Sequence, residues 1–433
     1  MGSRHCVRHP RPGLPASVTA YDAATAEPVT RRGATAAWIL YDVASSAYAL
    51  MIPSVAYAVY FRSYVAGNSP AADAIWGMTV ALPLIAAGLL GPLLGAIADL
   101  SGNRKRLLTI ATLASALATA LMATVGKGDV LLGVALFFLA HLGYMVATGL
   151  YDSYLPAIAS PDRAARISGL GWGLGYVGGI AVFLITLPLT RGGITEETAR
   201  TFAQVFLVTG TFYLLLALPA LVRLPAGATR RGSADIGSAY RRVWKTVRGW
   251  RRDAEVPKFL LAYYLINDAV VTVALFTPIV LGTTFGLSIQ DLLALTLLFN
   301  AIALPATIAF GWLGDRWSRR GAVYVTLVVW AIALGMLGYA DGPWVPRTLA
   351  VVLGLVIGST QSLLRGMFAR MVPTEQAAEY FGFHSLVGKV STALGPLVFG
   401  LVSTASGNQR VAMLSLGIFF AAGAWVLWTV RLR

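Results

Sequence analysis

Of the chain's 433 residues, 57% are hydrophobic and only 12% charged, against roughly 45–50% and 25% in soluble domains, so it belongs in lipid rather than in water. Its net charge of +15 does not indicate nucleic acid, because the Lys and Arg residues lie in short clusters between apolar runs instead of covering one face of a soluble module. A single cysteine, Cys6, excludes a disulfide framework, and His5 and His9 beside it are too few and too irregularly spaced for zinc, so neither metal nor cofactor is expected.

Residues 1–35 hold Pro10, Pro12, Pro15 and Pro28 among scattered Arg and Ser, with no apolar core of signal-peptide length, and are expected to form a disordered cytoplasmic tail. Beyond them, apolar runs of about 20 residues, the length that crosses a ~30 Å hydrocarbon core, recur twelve times. They fall at 36–61, 73–98, 107–126, 130–158, 166–188, 203–222, 258–284, 290–314, 322–340, 346–371, 381–403 and 409–430. The expected fold is therefore all-α and polytopic, with one six-helix bundle over 36–223, a second over 258–433, and a basic linker over 224–257. With both termini cytoplasmic, only six of the 34 basic residues lie in outer loops: Arg62, Lys127, Arg191, Arg200, Arg347 and Arg410. That asymmetry sets the topology of a multi-pass cell-membrane protein. The linker's Arg241, Arg242, Lys245 and Arg248, interleaved with Trp244 and Trp250, suit an amphipathic helix on anionic lipid headgroups.

The halves repeat one another. Gly95-Ala-Ile-Ala-Asp99 with Arg104, Lys105 and Arg106 returns 216 residues later as Gly311-Trp-Leu-Gly-Asp315 with Arg319 and Arg320, the mark of a duplicated unit. Arg166-Ile-Ser-Gly169 answers Glu379-Tyr-Phe-Gly382 at an offset of 213, and the same offset carries Asp152 onto Arg365.

An ionisable side chain within a membrane helix costs at least about 2.5–3.5 kcal/mol and needs a partner, a cavity or water. The candidates are Asp42, Asp152, Asp268, Arg365 and Lys389, with His141 and His384 behind them. Asp268 and Lys389 lie near mid-depth, where carriers bind substrates. Asp42, Asp152 and Arg365 lie in the inner third, where a gate pairing Asp152 with Arg365 would close. Snorkelling to the interface is the alternative for Asp152 and Arg365, and a purely structural ion pair for Asp268 and Lys389. Tyr41, Asn267, Asn300 and Gln361 either reach a substrate or bond neighbouring helices. Asp99 with Arg104, and Asp315, read as latches at the inner ends of two helices, the first turn the stronger.

Two nucleotide-like patterns are set aside. Gly173-Leu-Gly175-Tyr-Val-Gly178 lies inside an apolar helix and follows no strand, so Gly171, Gly175 and Gly179 are read as close helix packing. Gly388-Lys389 lacks both the spacing and the hydroxyl residue of a phosphate loop, and no catalytic set is visible, so no enzyme is expected.

The basic turn after the second run, Gly95-x-x-x-Asp99-x-x-Gly102-x-Arg104-Lys105, resembles the signature of the major facilitator superfamily. Trp38-Ile-Leu-Tyr41-Asp42, Arg166-Ile-Ser-Gly169-Leu-Gly-Trp172, Tyr263-Tyr-Leu-Ile-Asn267-Asp268, Gln361-Ser-Leu-Leu-Arg365 and Glu379-Tyr-Phe-Gly382 with Gly388-Lys389 resemble, more narrowly, the vacuole effluxer family. The resemblance implies the major facilitator fold and amino-acid efflux, with helices 1, 4, 7 and 10 lining a central cavity. The expected function is secondary transport of a small polar solute by alternating access, an amino acid or related zwitterion bound by Asp268, Lys389, Tyr41, Asn267 and Gln361. Asp42 or Asp268 would carry the coupled proton, since burying a carboxylate penalises its charged form. The expected partners are that solute, protons and membrane lipids, with the chain a monomer. A carrier-like sensor without net transport is the alternative, disfavoured by the short tails.

Overall fold

Backbone groups inside a bilayer have no water to bond, so a long apolar run satisfies them within itself by coiling into a helix. The computed structural model describes residues 28–67, 72–226, 236–251, 254–287, 289–391 and 394–431. Residues 1–27 of the expected tail, with Cys6, His5 and His9, and residues 227–235 of the linker lie outside the described residues. Among the described residues, twelve helices are long and apolar enough to cross a membrane, numbered 1 to 12 in chain order. They are Arg32–Val65, Ile75–Ser101, Arg104–Thr124, Val130–Ile158, Ala164–Thr190, Ala199–Arg223, Glu255–Thr284, Ala294–Arg316, Arg319–Tyr339, Val345–Met371, Thr374–Ser406 and Gln409–Thr429. No strand occurs among the described residues.

The start of helix 1 corrects one expectation. Helical backbone begins at Pro28, so residues 28–35 are not irregular; proline suits a first helical position, where its missing N–H is not needed. Helix 1 also runs on to Val65 through two π-helical stretches, Leu50–Ala56 and Phe61–Val65. Pro53 sits in the first of them, and the wider turn absorbs the backbone bond that proline cannot make.

Within the first half, helix 1 packs on helices 5 and 6; within the second, helices 8 and 9 pack on helix 10. The glycine ladder of helix 5 packs closely, as expected, and its partner is helix 1: a Cβ on Gly175 would lie 2.5 Å from Ser46 Oγ. The halves themselves join where helix 2 meets helix 11 and helix 8 meets helix 5. A Cβ on Gly95 would lie 2.2 Å from Ala378 O, and one on Gly311 would lie 2.7 Å from Ala165 O. These two contacts are the same contact made twice, because Gly311 follows Gly95 by 216 residues and Ala378 follows Ala165 by 213. Small residues let backbones approach this closely, which is what packs helices in lipid. These glycine contacts fall toward the face that carries the linker helix Ile236–Gly249, which itself packs on helix 2. This side is called the linker face below.

Gly95→Ala is expected to wedge helices 2 and 11 apart and cost about 1–3 kcal/mol, the usual penalty of overpacking. Gly335→Ala is the control, since a Cβ there meets nothing within 4 Å. Equal melting temperatures for the two variants would refute the close backbone approach at Gly95.

Candidate functional site

Arg365 lies well inside helix 10, where its charge cannot be left unpaired. The side chain does not snorkel: the residue is 3% exposed and reaches across into the first half. Its Nη2 donates to Asp42 Oδ2 at 2.8 Å and its Nη1 to Asp152 Oδ1 at 3.0 Å. Nε donates to Ser168 Oγ at 2.9 Å, and Nη2 also to Ser168 O at 3.0 Å. The guanidinium carbon stands 4.9 Å from the ring centre of Trp38 and 5.1 Å from that of Trp172, within cation–π range of both. Trp38 is fixed in turn, donating Nε1–H to Tyr151 O at 3.0 Å and stacking on the Tyr151 ring at 4.6 Å. The expected Asp152–Arg365 pair is thus present, and Asp42 joins it as a second acid on the same guanidinium.

Nearer the linker face, the two duplicated turns do the same thing in opposite directions. Asp99 accepts Arg104 Nη2–H at 2.6 Å and the backbone N–H groups of Ala378 at 3.3 Å and Glu379 at 3.0 Å. Asp315 accepts Arg319 Nε–H at 3.3 Å and the N–H groups of Ala165 at 3.3 Å and Arg166 at 2.7 Å. Each acid therefore sits at the start of a helix of the other half, where unsatisfied N–H groups and the helix dipole favour negative charge. The linker adds Arg242, whose Nε donates to Glu379 Oε2 at 2.8 Å and whose Nη2 lies 3.9 Å from Asp99 Oδ2.

A third group gathers where helices 7, 10 and 11 meet. Gln361 Nε2 donates to Asn267 Oδ1 at 2.9 Å, and Asn267 Nδ2 donates to Ser391 Oγ at 2.8 Å. Asp268 is fully buried; its Oδ1 accepts Gly395 N–H at 2.9 Å, while Oδ2 has no hydrogen-bond partner among the described residues. Lys389, partly buried, donates to Ser385 Oγ at 2.8 Å. Four of the five expected substrate residues are therefore on three adjoining helices, with Asn267 and Gln361 bonded to each other as well.

Tyr41 is not among them, and its expected place is corrected. It stacks on Tyr151 at 4.7 Å and shares hydrogen bonds with Thr112 at 2.8 Å and Tyr213 at 3.0 Å, inside the first half. Burial leaves a tyrosine hydroxyl in need of a partner, and two polar groups of its own bundle supply it. Asn300 turns back to its own helix, bonding Thr296 O at 2.8 Å. His384 lies between the rings of Tyr263 and Phe368, at 4.0 and 4.8 Å, and His141 shares a 3.3 Å hydrogen bond with Tyr48.

Trp38, Trp172, Ser168, Arg242 and Glu379 were not singled out as site residues from the sequence. The signal for Trp38 was present, since it precedes Asp42 by four residues, one helical turn, and so shares its face. Arg242 had none, being one of ten basic residues between Arg223 and Lys258.

The family described as "Vacuole effluxer Atg22 like" matches residues 62–433. An uncharacterized MFS-type transporter, YxiO, of Bacillus subtilis strain 168 is 27% identical over 398 residues, covering 90% of this chain and 93% of its own. Autophagy-related protein 22-1 of Aspergillus fumigatus is 25% identical over 288 residues, 59% of this chain. The chain spans about half the length of that fungal relative, 46% of it being covered. Among solved structures, the proton:xylose symporter XylE matches with a TM-score of 0.69 at 15% identity, over 93% of this chain and 95% of its own.

Proposed function

Since the chain belongs to the vacuole effluxer Atg22-like family of major facilitator membrane transporters, we propose that it moves an amino acid or related zwitterion across the cell membrane by alternating access. Asp268 carries this reading. It is a fully buried carboxylate with one oxygen unpartnered among the described residues, on a helix adjoining the one that holds Lys389, so opposite charges are available to the two ends of a zwitterion. The coupled proton resides on Asp268 or Asp42, and coupling drives efflux.

Basic residues orient the linker face toward the cytoplasm. In that orientation the conformation described above is shut on the cytoplasmic side, and the arginine cage and the two capping acids are what shuts it. Opening requires Arg365 to leave its acids and Asp99 and Asp315 to leave the helix starts they cap.

A thermal-shift screen of the purified protein against amino acids, sugars and organic cations tests the substrate class. A ligand at 100 times its Kd adds about 2.7 kcal/mol to the folded state. Stabilisation is expected from amino acids and should be lost in Lys389→Ala. No response to any amino acid, or an unchanged response in Lys389→Ala, would defeat the reading.

Asp99→Asn tests the latch. Loss of the charge facing two N–H groups and Arg104 is expected to cost the closed conformation about 1–3 kcal/mol, and Asp315→Asn less, since among the described residues Arg242 and Arg104 both lie by Asp99 but Arg319 alone pairs with Asp315. Spin labels at positions 103 and 375, in a Cys6→Ser background, should show the loops moving apart. A wild-type distance distribution in Asp99→Asn would remove Asp99 from that role.

A further inference from the structure

We propose that the cage around Arg365 is itself a binding site for an organic cation, a guanidinium or ammonium group on the transported solute, and that Arg365 occupies it only while the linker face is closed. The inference rests on the alternating-access reading.

The membership of the cage carries it. Trp38 and Asp42 belong to helix 1, Asp152 to helix 4, and Ser168 and Trp172 to helix 5, so every wall comes from the first half; Arg365 alone comes from the second. Trp38 and Asp42 are also held within the first half without it. Trp38 is bonded and stacked on Tyr151, and Gly171 lies so near that a Cβ there would fall 2.6 Å from Asp42 Oδ2 and 2.9 Å from Trp38. When the halves separate at the linker face, the occupant is withdrawn and the receptacle remains assembled.

The receptacle is specific in its chemistry. Two carboxylates converge on one guanidinium, with the charge of Lys389 on helix 11 also acting on Asp152. Protons alone could neutralise the vacated acids, but two indole faces flanking a planar group contribute nothing to a proton and much to a guanidinium or alkylammonium. The Ser168 hydroxyl and carbonyl add acceptors for N–H donors, as a nitrogen cation requires and a metal-free proton site does not. Arg365 thereby acts as a tethered competitor: the site is filled from within when shut and offered to the solute when open.

The test uses the full chain in nanodiscs and methylguanidinium as the probe, read by tryptophan fluorescence and by thermal shift. Removing a tethered competitor raises affinity, so Arg365→Ala should bind methylguanidinium about tenfold or more tighter than wild type. Adding Asp42→Asn or Trp38→Leu to Arg365→Ala should abolish that gain. A merely structural ion pair leaves a guanidinium-shaped hole in Arg365→Ala too, but predicts no binding of methylguanidinium to wild type, and that result overturns the proposal, as does the absence of a gain in Arg365→Ala. So does a fluorescence response to pH without one to methylguanidinium. Should Arg365→Ala not fold, Arg365→Lys is read in its place; it keeps the charge but loses the fork that grips both acids, and a gain of about threefold is expected, its absence again being fatal. Methylguanidinium binding in wild type and Arg365→Ala alongside no amino-acid response in wild type would defeat the zwitterion reading and leave the cage standing.

Discussion

Arg365→Met is expected to destabilise the closed conformation by about 3–5 kcal/mol, the cost of leaving buried charge without its partner. The side chains that remain, Asp42 and Asp152, are held on a guanidinium from the other half at 2.8 and 3.0 Å, so the loss falls on the joint between halves and not on either half alone. At about 1.4 kcal/mol per factor of ten, this shifts the open-to-closed ratio by about two to three and a half orders of magnitude. Two measurements check it: a lowered melting temperature, and a longer distance between labels at positions 103 and 375. Removing all three charges together, with Asp42→Asn, Asp152→Asn and Arg365→Met, should restore most of the melting temperature, because a whole buried ion network exchanged for neutral groups is near neutral in energy. An unchanged melting temperature in the single variant would show that the network holds nothing together. The same geometry limits a charge swap between Asp152 and Arg365. It would set an aspartate at position 365 against Asp42, so full recovery requires Asp42→Asn as well.

The fold was legible because its signals are additive along the chain. Twelve apolar runs and a basic bias toward one side need no tertiary knowledge, and the 213 and 216 offsets mark the duplication, although that Gly95 meets Ala378 and Gly311 meets Ala165 in one contact made twice emerged only from the packing. The Asp152–Arg365 pair came from the same arithmetic. Three-body arrangements did not. Asp42 was placed at gate depth without its partner, since nothing local to helix 1 says that Arg365, 323 residues away, reaches it. Tyr41 was misplaced for the opposite reason: its neighbour in sequence is the buried acid, but its own face of helix 1 turns to Thr112 and Tyr213. Depth along a helix can be counted from sequence, whereas azimuth depends on which neighbours pack against it.

Asp268→Asn is expected to abolish uptake driven by a pH gradient into proteoliposomes while leaving solute exchange intact. The substitution separates titration from structure. Asparagine retains an oxygen that can accept Gly395 N–H, the 2.9 Å bond that joins helix 7 to the second segment of helix 11, Leu394–Ser406. Thr272 bonds the Asp268 carbonyl, not its side chain, and that contact is untouched. The new amide replaces only Oδ2, which has no hydrogen-bond partner among the described residues to lose, so the fold should survive at a cost of about 1–2 kcal/mol for the buried donor. What cannot survive is the exchange of a proton. A carrier that no longer takes up and releases one still rocks with solute bound, which is what counterflow measures, but no longer accumulates solute against a gradient. Wild-type accumulation in Asp268→Asn would exclude it as the proton carrier and transfer the role to Asp42, whose release from Arg365 is then the coupling step. Loss of both activities with an intact melting temperature would show that holding the solute requires the charge of Asp268 and not only an acceptor oxygen.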